Sequence, residues 1–465
     1  LVRRVLFRSS SYLFSFRRTY IDILLQPLVL AETDGEVVSG YYFYDLNAKT
    51  NFNIDDKNKL FVSGYFGKDK FYGKDISGDG DFKYSLGWGN ATATLRWNHL
   101  FGAKLFSNLS MIFSDYKFII KQEEDYSGST YYMNYHTGIR DLSLKYDFDY
   151  RPSNKHIIKA GMQSTWHYFT PKAYVEKDSE FGTETRDIAH INSFENAIYA
   201  EDEMHLYEPL RLNAGIRLTQ FYSDGENYMN AEPRLSVAVN VARLTSVKAS
   251  YAGMNQYIHQ LSNSGIGLPT DLWVPSTDIV VPQNSEQAAL GLAHDFEKIN
   301  CALTVEGYYK WMNNVLAYKE GASFFDTGNP DNPGNINEAT SFENKVTQGA
   351  GKSYGAEVLF QRKEGRLSGW VSYTLSWTYL QFDDLNYGKE FFARYDSRHN
   401  ISIVGIYKLR ERTADKEGIT LSATWVYGTG NAVTLPIAEY YPPIHVSGQA
   451  ANQSFWPGFT YDYVS

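Results

Sequence analysis

The chain has 465 residues, of which 16% are aromatic and 21% charged, and it carries a formal net charge of −9. Its mean hydropathy of −0.40, without an uninterrupted apolar run of about 18 residues, excludes a bundle of transmembrane helices. The acidic balance offers no basic face to neutralise phosphates and argues against a nucleic-acid partner.

The first residues imitate a secretion signal without completing one. Arg3 and Arg4 precede a short apolar run that ends at Arg8, and no cleavage site follows. The run VRRVLFRS resembles the translation of a common sequencing adapter. We therefore interpret residues 1–9 as an assembly artefact outside the fold, with an ordinary coding start as the alternative, and expect residues 10–465 to begin inside a larger protein.

From Tyr12 onward, apolar and polar residues alternate with the period of a β-strand. The clearest stretch runs from Pro209 to Met254, where apolar positions such as Ala214 and Val239 alternate with polar ones in three successive segments. We count about 17 candidate strands, many of roughly 11 to 17 residues, against a usual length of about 5 or 6. The sequence therefore predicts an all-β fold, and the strand length favours a barrel wall.

The connections between these strands alternate between short and long. Short ones are expected near residues 55–59, 101, 152–155, 208, 243, 297–300 and 363–365, and long ones near 121–136, 170–190, 255–285 and 314–350. In an antiparallel up-and-down sheet, odd and even connections lie at opposite ends. The alternation therefore predicts a transmembrane barrel with short periplasmic turns at one rim and long extracellular loops at the other.

The apparent motifs of enzymes and metal proteins in this sequence are incomplete. The run GAGKS at Gly349–Ser353 resembles the end of a phosphate-binding loop, but Val346 stands where the first glycine is needed and a strand pattern follows. The histidines show no paired-ligand spacing, and the lone Cys301 has neither a disulfide partner nor a catalytic signature. We therefore expect no enzyme activity, no metal site and no cofactor.

Four charged residues share the polar phase of their strands: Arg211, Arg217, Lys248 and Glu306. A lysine or arginine facing lipid at the bilayer midplane costs about 2 to 4 kcal/mol. We therefore expect these side chains to face the lumen, where they line the wall or contact an internal domain.

Several segments together resemble the barrel of TonB-dependent outer-membrane receptors of the Bacteroidetes type. They are RRTYID (17–22), YYFYDLNAK (41–49), EPRLSV (232–237), GKSYGAEVLF (351–360), GWVSYTLSWT (369–378) and YDSRHNISIVGIYKL (395–409). The resemblance implies a barrel of 22 strands, an N-terminal plug and coupling to the TonB complex. With about 17 strands, no recognisable plug and no closing strands, residues 10–465 are expected to be a partial barrel.

The resemblance implies active import of a scarce ligand across the outer membrane, such as a siderophore complex, a cofactor or an oligosaccharide. Aromatic residues in the expected extracellular loops are candidate ligand contacts, although loop packing is the more common role for any single one of them; they are Tyr131, Tyr132, Tyr135, Tyr257, Trp273 and Phe324. A passive porin-like channel and, less favoured, a secreted all-β carbohydrate-binding protein are the alternatives.

Overall fold

The computed structural model describes residues 2–6, 10–75, 80–126, 128–180, 182–261, 272–319, 342–410, 417–440 and 458–463. Within them lie one α-helix, α1 (Ile21–Glu32), three single turns of 3₁₀-helix and 23 strands. The strands are β1 (Val2–Leu6), β2 (Ser10–Arg18), β3 (Val37–Asn53), β4 (Asn58–Asp75), β5 (Gly80–Leu100), β6 (Leu105–Tyr126), β7 (Ser129–Ser153), β8 (His156–Asp178), β9 (Thr183–Tyr207), β10 (Leu210–Ser223), β11 (Glu226–Ala242), β12 (Thr245–Gln256), β13 (Ile258–Leu261), β14 (Leu272–Pro275), β15 (Gln283–Phe296), β16 (Cys301–Tyr318), β17 (Val346–Arg362), β18 (Leu367–Gln381), β19 (Phe391–Phe392), β20 (His399–Arg410), β21 (Ile419–Gly428), β22 (Thr434–Tyr440) and β23 (Gly458–Tyr463).

Nineteen of these strands form one antiparallel sheet in which each long strand pairs with the next along the chain. The hairpins β13–β14 and β22–β23 form two small sheets of their own. Without β1 and the two-residue β19, the large sheet has 17 strands, which matches the predicted number. The all-β, antiparallel up-and-down fold expected from the sequence is confirmed.

The large sheet is open in the part of the chain that the structure describes. Its edge strands β1 and β21 each pair on one side only, with β2 and β20 respectively. Backbone groups along such edges lack partners, and in lipid each unpaired group costs several kcal/mol. An open sheet of this kind is consistent with the incomplete barrel that the sequence predicts.

The two faces of the sheet show the opposite pattern of side-chain exposure from that of a soluble protein. On β10, the apolar residues Ile216 and Leu218 are 48% and 45% exposed, whereas Thr219 and Ser223 on the other face are 4% and 0% exposed. An exposed apolar face and a sheltered polar face are typical of a wall between lipid and a polar lumen. We call these the outer face and the lumen face, and the apolar and polar residues of β10 alternate between them in the order that the sequence predicts.

The connections at the two ends of the sheet differ in length as predicted. Part of the predicted loop length, however, belongs to longer strands. At one end, short turns such as Ile54–Lys57 join the strands, and we call this the short-turn rim. At the opposite end, the elaborated rim, the predicted loops 121–136 and 170–190 are wrong. These segments continue β6 to Tyr126, β7 from Ser129, β8 to Asp178 and β9 from Thr183.

The length of these hairpins carries them beyond the membrane. The 25 residues of β7 span about 80 Å along the strand, and a tilt of about 45° still leaves a rise well above the ~25 Å apolar band. Paired strands satisfy their backbone groups in water as well as in lipid. The polar residues of these segments therefore mark strand above the membrane and not loop.

Two elements lie where the sequence predicts none. Helix α1 interrupts the strands between β2 and β3, and the hairpin β13–β14 lies within the predicted loop 255–285. In addition, β1 pairs with Ser11–Ser15 although residues 1–9 were expected outside the fold. The adapter origin of residues 1–9 remains a prediction.

Candidate functional site

The chain between β12 and β15 folds into the lumen. Its hairpin β13–β14 packs against the neighbouring strands β7 and β8 and also against β16, which lies far from them in the order of the sheet. Residues of one connection can reach such distant strands only across the inside of the curved sheet. We call the described residues 257–261 and 272–282 the inner segment.

An apolar cluster holds the inner segment against the wall. The segment contributes Leu261, Leu272, Val274 and Val280, and all four are at most 5% exposed. Their partners on the lumen face are Leu86 of β5, Phe118 of β6, Tyr135 of β7 and Val346 of β17. The lumen near the elaborated rim is therefore filled in part by protein, with packing like that of a soluble core.

A histidine lies at the polar centre of the inner segment. Gln283 Nε2 donates to His259 Nδ1 at 3.0 Å, so the neutral ring carries its proton on Nε2 and donates to Ser276 Oγ at 2.8 Å. The ring is 1% exposed, and burial lowers the pKa of His259 to about 4. His259 therefore stays neutral and fixed near neutral pH.

Tyr257 joins the start of the inner segment to the wall. Its ring stacks on that of Phe221 with centroids 4.9 Å apart, and its hydroxyl lies 2.6 Å from Thr219 Oγ1. Asn230 Nδ2 donates to the same hydroxyl at 3.0 Å. Burial raises the pKa of Tyr257 above its ordinary value, so the hydroxyl remains protonated.

Two backbone attachments fix the far end of the inner segment. Val281 donates its N–H to Gln348 Oε1 at 3.1 Å, and Gln348 Nε2 returns a bond to the carbonyl of Val281 at 2.8 Å. The Tyr228 hydroxyl donates to the carbonyl of Thr277 at 2.5 Å. Strands β11 and β17 therefore hold the segment by specific hydrogen bonds as well as by apolar packing.

Nearer the short-turn rim, the lumen face of β6–β11 carries paired charges around a cleft of about 380 Å³. The Arg217 guanidinium lies 3.8 Å from Glu195 and 3.9 Å from Glu232, and 5.4 Å from the ring centre of Tyr199. The Tyr199 hydroxyl donates to Asp147. This cleft presents carboxylates and cations side by side, which suits contact with a polar surface.

The four predicted lumen residues all lie in the phase opposite to the exposed apolar side chains. Arg211 and Lys248 are exposed on that face, whereas Arg217 is enclosed by its partners. Glu306 pairs in register with Gly291 on one side and with Glu357 on the other. The sequence predicts their phase, but it does not predict Tyr199 or Asp147, whose only signal is their place in the same polar alternation.

The predicted ligand-contact residues fall into three groups. Tyr135 and Tyr257 are each 3% exposed and take part in the packing just described, so neither is open to a ligand in this conformation. Tyr131, Tyr132 and Trp273 are partly exposed, with Tyr132 in the phase of the outer face. Phe324 lies outside the described residues. Ligand contact by any of them remains a prediction.

Within the described residues, no three or more His, Cys, Asp or Glu side chains are grouped so that they could hold a metal ion. In the same part of the chain, no α-helix is both long and apolar enough to cross a membrane.

Solved structures with the same fold include receptors and a transporter for iron or ferric complexes. The ferric preacinetobactin receptor BauA from Acinetobacter baumannii is 12% identical with a TM-score of 0.56, and the alignment covers 92% of this chain and 68% of that one. For the ferric-catecholate import receptor Fiu from E. coli K12 the values are 12%, 0.57, 92% and 69%. For the FrpB iron transporter from Neisseria meningitidis they are 11%, 0.61, 93% and 66%.

These likenesses establish the fold, and the chain spans about two thirds of the length of these proteins. No curated protein sequence matches the chain significantly. The family model described as "TonB dependent receptor-like, beta-barrel" matches residues 27–461, which is nearly the whole chain. The chain therefore belongs to the TonB-dependent receptor-like β-barrel family, whose members are proteins of the outer membrane.

Proposed function

We propose that this chain forms the wall and inner segment of a receptor that imports a scarce ligand by TonB-coupled transport. One observation favours this proposal over a passive porin. Besides β1 and the two-residue β19, the large sheet has 17 wall strands and is still open at both edges within the described residues. A barrel of about 16 strands, at the lower end of the porin range, would already have closed, and plugged transporters have about 22 strands.

The charged lumen face supports contact with an internal plug domain. Within the described residues, Arg211 and Lys248 have no ion-pair partner, and both are exposed toward the lumen. Arg217 and Glu306 lie on the same face. Carboxylates and cations of a plug would complement these groups, while further strands would complete the wall between β1 and β21.

The partly exposed aromatic residues at the elaborated rim are the proposed ligand contacts. Tyr131 and Trp273 offer ring faces that can stack on a flat chelate or a sugar ring. BauA, Fiu and FrpB are named for ferric complexes or iron. We therefore place ferric chelates first among the ligand classes, ahead of cobalamin-like cofactors and oligosaccharides.

Uptake by whole cells tests this proposal. Cells that express the receptor, with and without TonB, are given radioactive iron on a catecholate chelator, labelled cobalamin or a labelled oligosaccharide. We expect one probe to accumulate only when both receptor and TonB are present, and an uncoupler to abolish its uptake. Uptake that persists without TonB and with the uncoupler would instead identify a passive channel.

A further inference from the structure

Helix α1 lies against the outer face of the sheet at the elaborated rim. The Cβ of Asp22 lies 3.1 Å from the position that a Cβ on Gly40 of β3 would occupy. Gly40 shares its phase with Leu46, which pairs in register with Phe66, and Phe66 is 44% exposed on the outer face. The helix therefore covers part of the wall on its lipid side and does not enter the lumen.

The acidic side chain in the first turn of α1 is turned toward the wall. Arg18 Nη2 donates to Asp22 Oδ2 at 2.8 Å, and Asp22 is 5% exposed. The Arg18 guanidinium also lies 5.0 Å from the ring centre of Tyr42 and 5.1 Å from that of Tyr20. This ion pair neutralises the charge of Asp22 on the side of the helix that faces the wall. The free surface of the helix therefore carries no charge from Asp22.

The free surface of α1 is apolar. Its exposed large side chains are Ile21, Ile23, Leu24, Leu25 and Leu28, and Leu24 is 72% exposed. No further charged residue follows Asp22 until Glu32, the last residue of the helix. A helix of a water-soluble surface shows the opposite pattern, with polar residues turned to solvent.

The height of α1 matches the upper boundary of the membrane. Strand β2 begins at the short-turn rim and has nine residues before α1. These span about 30 Å along the strand and rise about 21 Å at a tilt of about 45°, against an apolar band of ~25 Å. The outward residues Tyr12, Phe14 and Phe16 of β2 are exposed, so the apolar surface of the wall leads directly to the helix.

We propose that α1 lies in the outer leaflet of the outer membrane, with its exposed leucine and isoleucine side chains among lipid acyl chains. Apolar helices at this depth bury one face in the boundary between headgroups and chains. A protein partner would require a rim of polar groups for hydrogen bonds, and between Ile23 and Leu28 the one polar side chain, Gln26, is half-buried. The inference rests on the outer-membrane location of the family and not on the ligand or on TonB.

Fluorescence quenching in lipid nanodiscs tests the proposal. The single native cysteine is removed by Cys301→Ser, and a fluorophore is attached to the intact receptor at Leu24→Cys. Two matched sites serve as controls: Leu290→Cys lies on the outer face of β15 and is 62% exposed before substitution, and Tyr387→Cys lies at the elaborated rim and is 95% exposed. Each sample is titrated with a lipid that carries a quencher on its acyl chain and, separately, with iodide.

We expect the label at position 24 to be quenched by the lipid to the same extent as the label at position 290, and to resist iodide. Quenching by iodide as at position 387 would show that the helix lies in water and would overturn the proposal. Protection from both quenchers would show a protein cover and would overturn it equally. The two controls establish that the receptor is folded in the nanodisc whichever result is obtained at position 24.

Discussion

Protonation of His259 should loosen the inner segment. The folded protein holds the pKa of this residue at about 4, below the ordinary value of 6.5, because the ring is buried. A lowered histidine pKa means that the folded state favours the neutral form. The packing of the segment is therefore fully stable above pH 6.5 and loses stability as the pH falls from 6.5 toward 4.

The size of this effect follows from the difference in pKa. One pKa unit corresponds to about 1.4 kcal/mol, so at pH 5 the packed state loses about 2 kcal/mol relative to the open one. The proton would enter at Nδ1, where Gln283 now donates a hydrogen bond. Because β13 and β14 form a sheet of their own, the loss falls on the inner segment and not on the wall.

Hydrogen exchange measured by mass spectrometry on the receptor in nanodiscs can detect this opening. After correction for the intrinsic pH dependence of exchange, peptides from residues 257–261 and 272–282 should open about 30-fold more often at pH 5 than at pH 7.5. Peptides from the ladder of β16 should not change. The variant His259→Gln keeps a neutral hydrogen-bonding side chain and should remove the pH dependence. Equal opening at both pH values, or the same dependence in His259→Gln, would refute the assignment to His259.

Three further changes probe the wall. Ala214→Lys places a charge on the outer face of β10 and should destabilise the receptor in vesicles by about 2 to 4 kcal/mol in urea unfolding, whereas Asn213→Lys on the lumen face should be nearly neutral. Gly349→Ala would place its methyl group against the backbone carbonyl of Gln381 and the ring of Phe382 and should lower the stability of the receptor by about 1 to 3 kcal/mol. In the matched variant Gly405→Ala, the added methyl group meets nothing within 4 Å. Phe221→Ala removes a fully buried ring, at about 3 to 5 kcal/mol, and should expose the inner segment to protease. Equal effects within either matched pair, or unchanged protease resistance for Phe221→Ala, would contradict the corresponding assignment.

The wall could be predicted from the sequence because its determinants are local. The alternation along Leu210–Leu218 fixes which side of a strand faces lipid, and it needs no knowledge of the partner strand. The partners of Arg217 require more, because they depend on register. The tight turn at Asp224 and Gly225, both with positive φ, sets the pairing of β10 with β11 and brings Arg217 opposite Glu232.

The sequence does not predict helix α1 or the inner segment, and the reasons are physical. The run IDILLQPLVL is apolar in both the helical and the strand period, so its pattern does not decide between the two. The contacts of Leu261 and Val274 join strands separated by more than two hundred residues, from β5 to β17. No local pattern specifies contacts between such distant segments, and the predicted loop at 255–285 therefore gave no sign of turning inward.

The packing of the inner segment bears on how a ligand could pass. Withdrawing it from the wall exposes Leu261, Leu272, Val274 and Val280, which are all nearly fully buried. At about 1.5 to 3 kcal/mol for each side chain, the cost is about 6 to 12 kcal/mol before any hydrogen bond is counted. Thermal motion alone would populate the withdrawn state about once in 10⁴ or more. Rapid import along a route that requires this withdrawal therefore needs work from outside the barrel, which is what coupling to TonB supplies in the proposed function.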